Sequence, residues 1–161
     1  MKIKYNVLTA CLVTGSVLSF AGAVGAETVL KIKGTGVVIV NIKNVDLADG
    51  SIVQQLDSKY VWTMSEGDMA GQTWGGVCYA LGRVTPEGVY SGAARCNDTV
   101  TAEDSYTTDY TDNAEGGDWV VTGGKGKFKG ATGGGRTVYT WGDTTFGDKI
   151  TMTSEGTITL P

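Results

Sequence analysis

Lys149-Ile150-Thr151-Met152-Thr153-Ser154-Glu155-Gly156-Thr157-Ile158-Thr159-Leu160 repeats with a period of two. Ile150, Met152, Gly156, Ile158 and Leu160 fall on one side. Lys149, Thr151, Thr153, Glu155, Thr157 and Thr159 fall on the other. Successive side chains of an extended chain point to opposite faces, so this is a half-buried strand of about a dozen residues. Gly156 is expected to mark a bend or bulge in it.

The same logic reads backwards along the chain. Thr28 to Lys33 and Gly36 to Lys43 are β-branched and rich in Val and Ile. Lys59 to Met64 alternates, with Tyr60, Trp62 and Met64 on one side. Trp74 to Arg83, Val89 to Asn97, Trp119 to Thr122 and Arg136 to Trp141 are further strand candidates. Beyond the first 26 residues, apolar side chains never recur at helical spacing over ten residues. Gly is abundant at 25 and Pro scarce at 2. Many short strands joined by glycine-rich turns predict an all-β sandwich or barrel.

One pair of strands has a readable register. Thr85-Pro86-Glu87-Gly88 is a turn signal. With Pro86, Glu87 and Gly88 as the loop, Thr85 faces Val89, and pairing continues outward until Cys78 stands opposite Cys96. Directly opposed residues on antiparallel strands bring β-carbons close enough to bridge. On the other face of this hairpin Tyr79 opposes Arg95. The residues alone leave open which face points inward.

The first 26 residues read as an export signal. Lys2 and Lys4 precede a mostly apolar stretch, Val7 to Val24, that closes on Val24-Gly25-Ala26, where a signal peptidase finds small residues. Cleavage after Ala26 leaves one domain, 27–161, large enough for a core. A rival reading takes Leu8-Thr9-Ala10-Cys11 as a lipoprotein box with Cys11 as the anchor. The mature chain then carries no membrane span, and its destination is the periplasm or the exterior. Such a compartment is oxidising, so Cys78 and Cys96 are expected as a disulfide.

Charge and composition exclude several functions. The chain has 13 basic residues; losing Lys2 and Lys4 leaves 11 against 17 acidic ones, net −6. A net-acidic surface repels nucleic acid and anionic lipid. There is no histidine, which removes histidine triads, the usual neutral-pH proton shuttle and most zinc and copper sites. No cofactor is expected.

Two segments stand apart. Asn97 to Asp118 carries seven acidic residues and no Lys or Arg. Within it Asp109, Asp112, Glu115 and Asp118 supply the oxygens that calcium takes, though at no EF-hand spacing. Acidic loops are more often simply soluble surface. Gly123 to Gly135 is the other segment. Gly126-Lys127-Phe128 lacks the hydroxyl residue of a phosphate loop and no helix follows, so Lys125, Lys127 and Lys129 read as a solvated turn with Phe128 as its anchor.

Gly124-Lys125-Gly126-Lys127-Phe128-Lys129-Gly130-Ala131-Thr132-Gly133 resembles the Gly-Thr-Gly-Arg/Lys-Phe-x-x-Ala-x-Gly signature of dirigent proteins, members of the allene oxide cyclase-like barrels. Lys125 stands where the plant signature has Thr. A strand led by Asp118-Trp119-Val120-Val121 runs in and one with Tyr139 runs out. A cysteine hairpin ahead of an acidic stretch is similar to exported bacterial members of this group. The likeness is specific over roughly 120–140 and loose over 74–160; residues 27–73 add strand character only. It implies an eight-stranded antiparallel barrel with an apolar-lined cavity. It also implies a style of action, in which a small hydrophobic or reactive molecule is bound and steered, usually without a nucleophile or metal. Many such barrels are oligomers.

Tyr60, Trp62, Trp74, Tyr79, Tyr90, Trp119, Tyr139 and Trp141 are therefore either core filling or the lining of a cavity. Tyr79 with Arg95 is either a surface cation–π pair or, facing inward, a donor pair for an anionic or carbonyl ligand. Glu155 on the threonine face is a solvated charge; turned inward it would be a general acid or base of raised pKa. The leading expectation is an exported barrel that binds a small hydrophobic molecule without side-chain catalysis. An isomerase or cyclase using an inward carboxylate or the Tyr79–Arg95 pair is the first alternative. A non-catalytic structural or interaction protein of the cell envelope is the second, and for any of the three a homo-oligomer is an open expectation.

Overall fold

A computed structural model describes residues 27–141 and 149–161. The expected leader, its cleavage site and Cys11 lie outside the described residues, as do the side chains of Trp141 and Lys149. Eight strands follow in chain order: β1 (Thr28–Asp46), β2 (Ile52–Gly67), β3 (Thr73–Val84), β4 (Tyr90–Thr99), β5 (Ser105–Asn113), β6 (Gly116–Lys125), β7 (Thr132–Trp141) and β8 (Lys149–Leu160). Each pairs antiparallel with the next, and β8 returns to β1, so the sheet closes into an up-and-down barrel without edges. No described helix is long and apolar enough to cross a membrane.

Alternation carries the closure. In β8, Ile150, Met152, Ser154 and Ile158 are buried while Thr151, Thr153, Glu155 and Thr157 are exposed. In β1, alternate residues from Leu30 to Ile42 turn inward. The expected split of this strand at Gly34 and Gly36 does not occur. β1 is continuous, with one register shift between Lys33 and Gly34. A β-carbon on Gly34 would meet Met64, and one on Gly36 would meet Trp62, so both glycines admit large neighbours inside the barrel. Gly156 likewise pairs in unbroken register with Ile32 and Gly135. It marks the space filled by the Trp119 indole, which also abuts Gly135.

The β3–β4 hairpin has the register read from its turn: Cys78 opposes Cys96, Tyr79 opposes Arg95, and Thr85 bonds Val89. Cys78 and Cys96 form a disulfide, with α-carbons 4.0 Å apart, on the inward face. A cross-link of this kind belongs to a chain that meets an oxidising compartment. Replacing both cysteines by alanine is expected to cost about 3 kcal/mol, since the bridge closes an 18-residue separation. Thermal melts of the double variant beside the reduced and oxidised wild type measure it; an unchanged midpoint would refute the bridge's role.

The two ends of the barrel differ. At one end a 3-10 turn, Gly126–Phe128, drives Phe128 fully inside, its ring 5.0 Å from that of Tyr106. Met69, Trp74, Trp119, Val121, Ala131 and Ile158 are buried in the same half, and together they seal it. Lys125, Lys127 and Lys129 stay in solvent. The opposite end, where β1 meets β2, β3 meets β4 and β5 meets β6, is not filled by the described residues.

Candidate functional site

The open half is hollow because two strands present small side chains to it. The inner faces of β3 and β4 carry Cys78, Ala80 and Gly82, then Gly92, Ala94 and Cys96. The rest of the wall carries Val38 and Val40 of β1, Tyr60 and Trp62 of the adjoining β2, and Ile150 and Met152 of β8. Small residues facing large ones across a barrel of this size leave unfilled volume. The result is a cavity of about 240 Å³ with predominantly apolar walls. Gly88, Asn113 and Ala114, all exposed, form its rim.

A few polar groups interrupt the apolar wall. The Tyr139 hydroxyl donates to Asp112 Oδ1 at 2.8 Å. Gly117, directly across β5–β6 from Asp112, has no β-carbon in the place the carboxylate takes. Burial raises the Asp112 pKa, and the Tyr139 hydrogen bond partly offsets the rise. Tyr139 and Tyr90 are pushed up by burial and then by the Asp112 charge; Tyr110 is pushed up by burial and by the charge on Asp98. All three phenols therefore remain protonated donors through the physiological range.

Below the cavity lies a polar floor. Asp98 is only 3 % exposed and accepts a hydrogen bond from Trp74 Nε1 at 3.3 Å. Burial pushes its carboxyl up to about 7 against the opposing pull of hydrogen bonds from Tyr60 and Trp74. Trp119 Nε1 donates to Ser154 Oγ at 3.1 Å, Thr137 Oγ1 lies 3.0 Å from the same oxygen, and Ser154 Oγ donates to the Arg136 carbonyl at 3.3 Å. These indole and hydroxyl groups are thus paired, as their desolvation requires, whereas the buried Thr108 hydroxyl beside them has no hydrogen-bond partner among the described residues.

The residues singled out in the sequence divide between three places. Tyr60, Trp62, Tyr90 and Tyr139 line the cavity. Trp74 and Trp119 are buried in the sealed half and spend their N–H groups on Asp98 and Ser154. Tyr79, Arg95 and Glu155 stand on the outer surface. Tyr79 is 66 % exposed, and the Arg95 guanidinium forks onto Asp109 at 2.7 and 2.8 Å instead of facing a ligand. Trp141 lies in β7, with its side chain outside the described part.

The four acidic calcium candidates do not converge. Asp109 pairs with Arg95 outside, Asp112 turns inward to Tyr139, and Asp118 pairs with Arg136 at 2.9 Å. Glu115 lies exposed in the β5–β6 turn, where its N–H bonds Asn113 Oδ1. Asp109 and Asp112 both lie in β5, and alternation sends them to opposite faces. Among the described residues no group of three acidic or sulfur side chains is placed to hold a metal.

Sequence reasoning passed over Asp98, Tyr106 and Tyr110 as site residues. A signal was present: Asp98 shares its face with Cys96, two residues away, and Tyr106, Thr108, Tyr110 and Asp112 alternate along one face of β5.

These features define a class: a closed eight-stranded antiparallel barrel with one end sealed and an apolar, tyrosine-ringed cavity at the other. Within it the chain has the dirigent-like barrel fold. It is similar to the pterocarpan synthase dirigent protein GePTS1 (TM-score 0.54, 12% identity, 98% of both chains covered). It is similar also to the pterocarpan synthase dirigent protein PsPTS1, with TM-score 0.52 and 15% identity over 84% of this chain and 96% of that one. No protein-family model matches the chain, and no curated protein does.

Proposed function

We propose that this is an exported barrel that holds one small, largely apolar molecule in the cavity between β3–β4 and β8. The observation that carries the reading is the cavity itself, about 240 Å³ with a few oriented polar groups in an otherwise apolar wall. An apolar cavity of about 150 Å³ accepts benzene, so this one has room for a guest of about ten non-hydrogen atoms. Export rests on the leader-like residues 1–26 and on the disulfide. The outer face of β1 to β3, with Val37, Ile39, Val61, Val77, Tyr79 and Leu81 exposed, offers a second copy an apolar surface.

The test uses 3-phenylpropan-1-ol, a neutral molecule of the right size. Trp62 lines the cavity, so its binding is expected to change tryptophan fluorescence and to raise the melting temperature. Ala94 faces the cavity, and Ala94→Phe fills the space. In that variant the response is expected to vanish while the fold, read by circular dichroism, persists. Binding to both proteins alike would refute the cavity as the site.

A second reading, an isomerase or cyclase, is favoured by one observation. Arg95 and Glu155 are exposed, yet Asp112 places a carboxylate of raised pKa on the cavity wall, where it can take or give a proton. Native mass spectrometry of protein from its own host separates the readings. The same guest in wild type and Asp112→Asn means storage; an extra substrate mass confined to Asp112→Asn means turnover.

A further inference from the structure

The charge inside the barrel is one-sided. Every Lys and Arg whose side chain is described is exposed. The ion pairs among described residues, Lys33–Glu66, Arg83–Asp49, Arg95–Asp109 and Arg136–Asp118, all lie on the outer surface. Asp112 reaches the cavity with a tyrosine hydroxyl for its partner and no countercharge among the described residues. Asp98 lies deeper with hydrogen bonds from an indole and a phenol. A carboxylate withdrawn from water without a cation is costly, and a second anion brought beside it adds repulsion in a medium of low dielectric.

A guest carrying positive charge reverses both terms. Its ammonium supplies the countercharge that the described residues do not, and the aromatic rings of Trp62, Tyr90 and Tyr139 in the wall favour a cation further. Gly117 supports this assignment, because any larger residue there would push the Asp112 carboxylate from its place.

We propose that the cavity selects apolar molecules bearing a single amine, with Asp112 as the group that recognises it, and discriminates against carboxylates such as fatty acids. The inference rests on the cavity being a ligand site at all.

Three probes of one shape test it: 3-phenylpropylamine, 3-phenylpropan-1-ol and 3-phenylpropanoate, titrated calorimetrically at physiological salt. The amine is expected to bind at least about tenfold more tightly than the alcohol, as a charge-assisted hydrogen bond in a partly buried site allows. The carboxylate is expected to bind weakest. In Asp112→Asn, and in Asp112→Ala as a second variant, the amine's advantage is expected to fall to about threefold or less, with alcohol binding retained. Alcohol or carboxylate binding to wild type as tightly as the amine overturns the proposal. So does an amine advantage that survives both Asp112 variants, or amine binding that survives Ala94→Phe. Failure of all three probes to bind overturns the cavity reading beneath it, a result distinct from equal binding by all three.

Discussion

Asp98→Asn is expected to make the protein more stable at pH 8 and to flatten its stability between pH 4 and 8. Asp98 is buried beneath the cavity, and its folded-state pKa is pushed up to about 7. An aspartate in the unfolded chain titrates near 3.9. Between roughly pH 4 and 7 the native state therefore holds a proton that the unfolded state has released. Stability falls as pH rises through that window, and the loss is complete above it. Three pH units correspond to about 4 kcal/mol. Asparagine cannot ionise, and its carbonyl still accepts from Trp74 Nε1. A gain of about 2 kcal/mol or more at pH 8 is expected once amide mismatch with Tyr60 is allowed for. Thermal melts of both proteins from pH 4 to 8 decide the matter. Parallel curves would show that the carboxyl is ionised at no special cost.

Phe128→Ala should be the most damaging single truncation. The side chain is 0 % exposed, packs on Tyr106 and closes the sealed end. Removing a fully buried phenylalanine costs about 4 kcal/mol, and for a domain of this size the melting midpoint should drop by more than about 10 °C. Lys127→Ala, next door, is the control. Its ammonium lies 5.1 Å from the Phe128 ring centroid but is solvated, so its loss should cost under about 1 kcal/mol. Equal effects from the two variants would mean that Phe128 does not seal the barrel.

The legible parts of this chain were those where polar and apolar residues alternate cleanly. The Thr85–Gly88 turn set the register of the cysteine hairpin residue by residue, and Ile150 to Leu160 declared its inward face. β5 was not legible. Its inner face is Tyr106, Thr108, Tyr110 and Asp112, its outer face includes Asp109, and both carry acid, so hydropathy shows no period. β1 was divided in reading because Gly34 and Gly36 look like a break; the reason they are glycines, Met64 and Trp62, sits on another strand. The site suffered most from this kind of distance. Tyr60, Trp62, Tyr90 and Tyr139 were recognised as aromatic candidates, yet hairpin geometry alone gave Tyr79 and Arg95 the same standing. Which face of the hairpin turns inward is decided by closure of the whole sheet, which no short stretch of sequence contains.

The sealed and hollow halves imply a separation of duties. On the proposed reading, guest preference is set at the hollow end, while Phe128 and its neighbours close the sealed end, with the floor around Asp98 and Ser154 between them. On that reading, the rim of Gly88, Asn113 and Ala114 is, among the described residues, where arrival and departure share one route, and two guests must take turns.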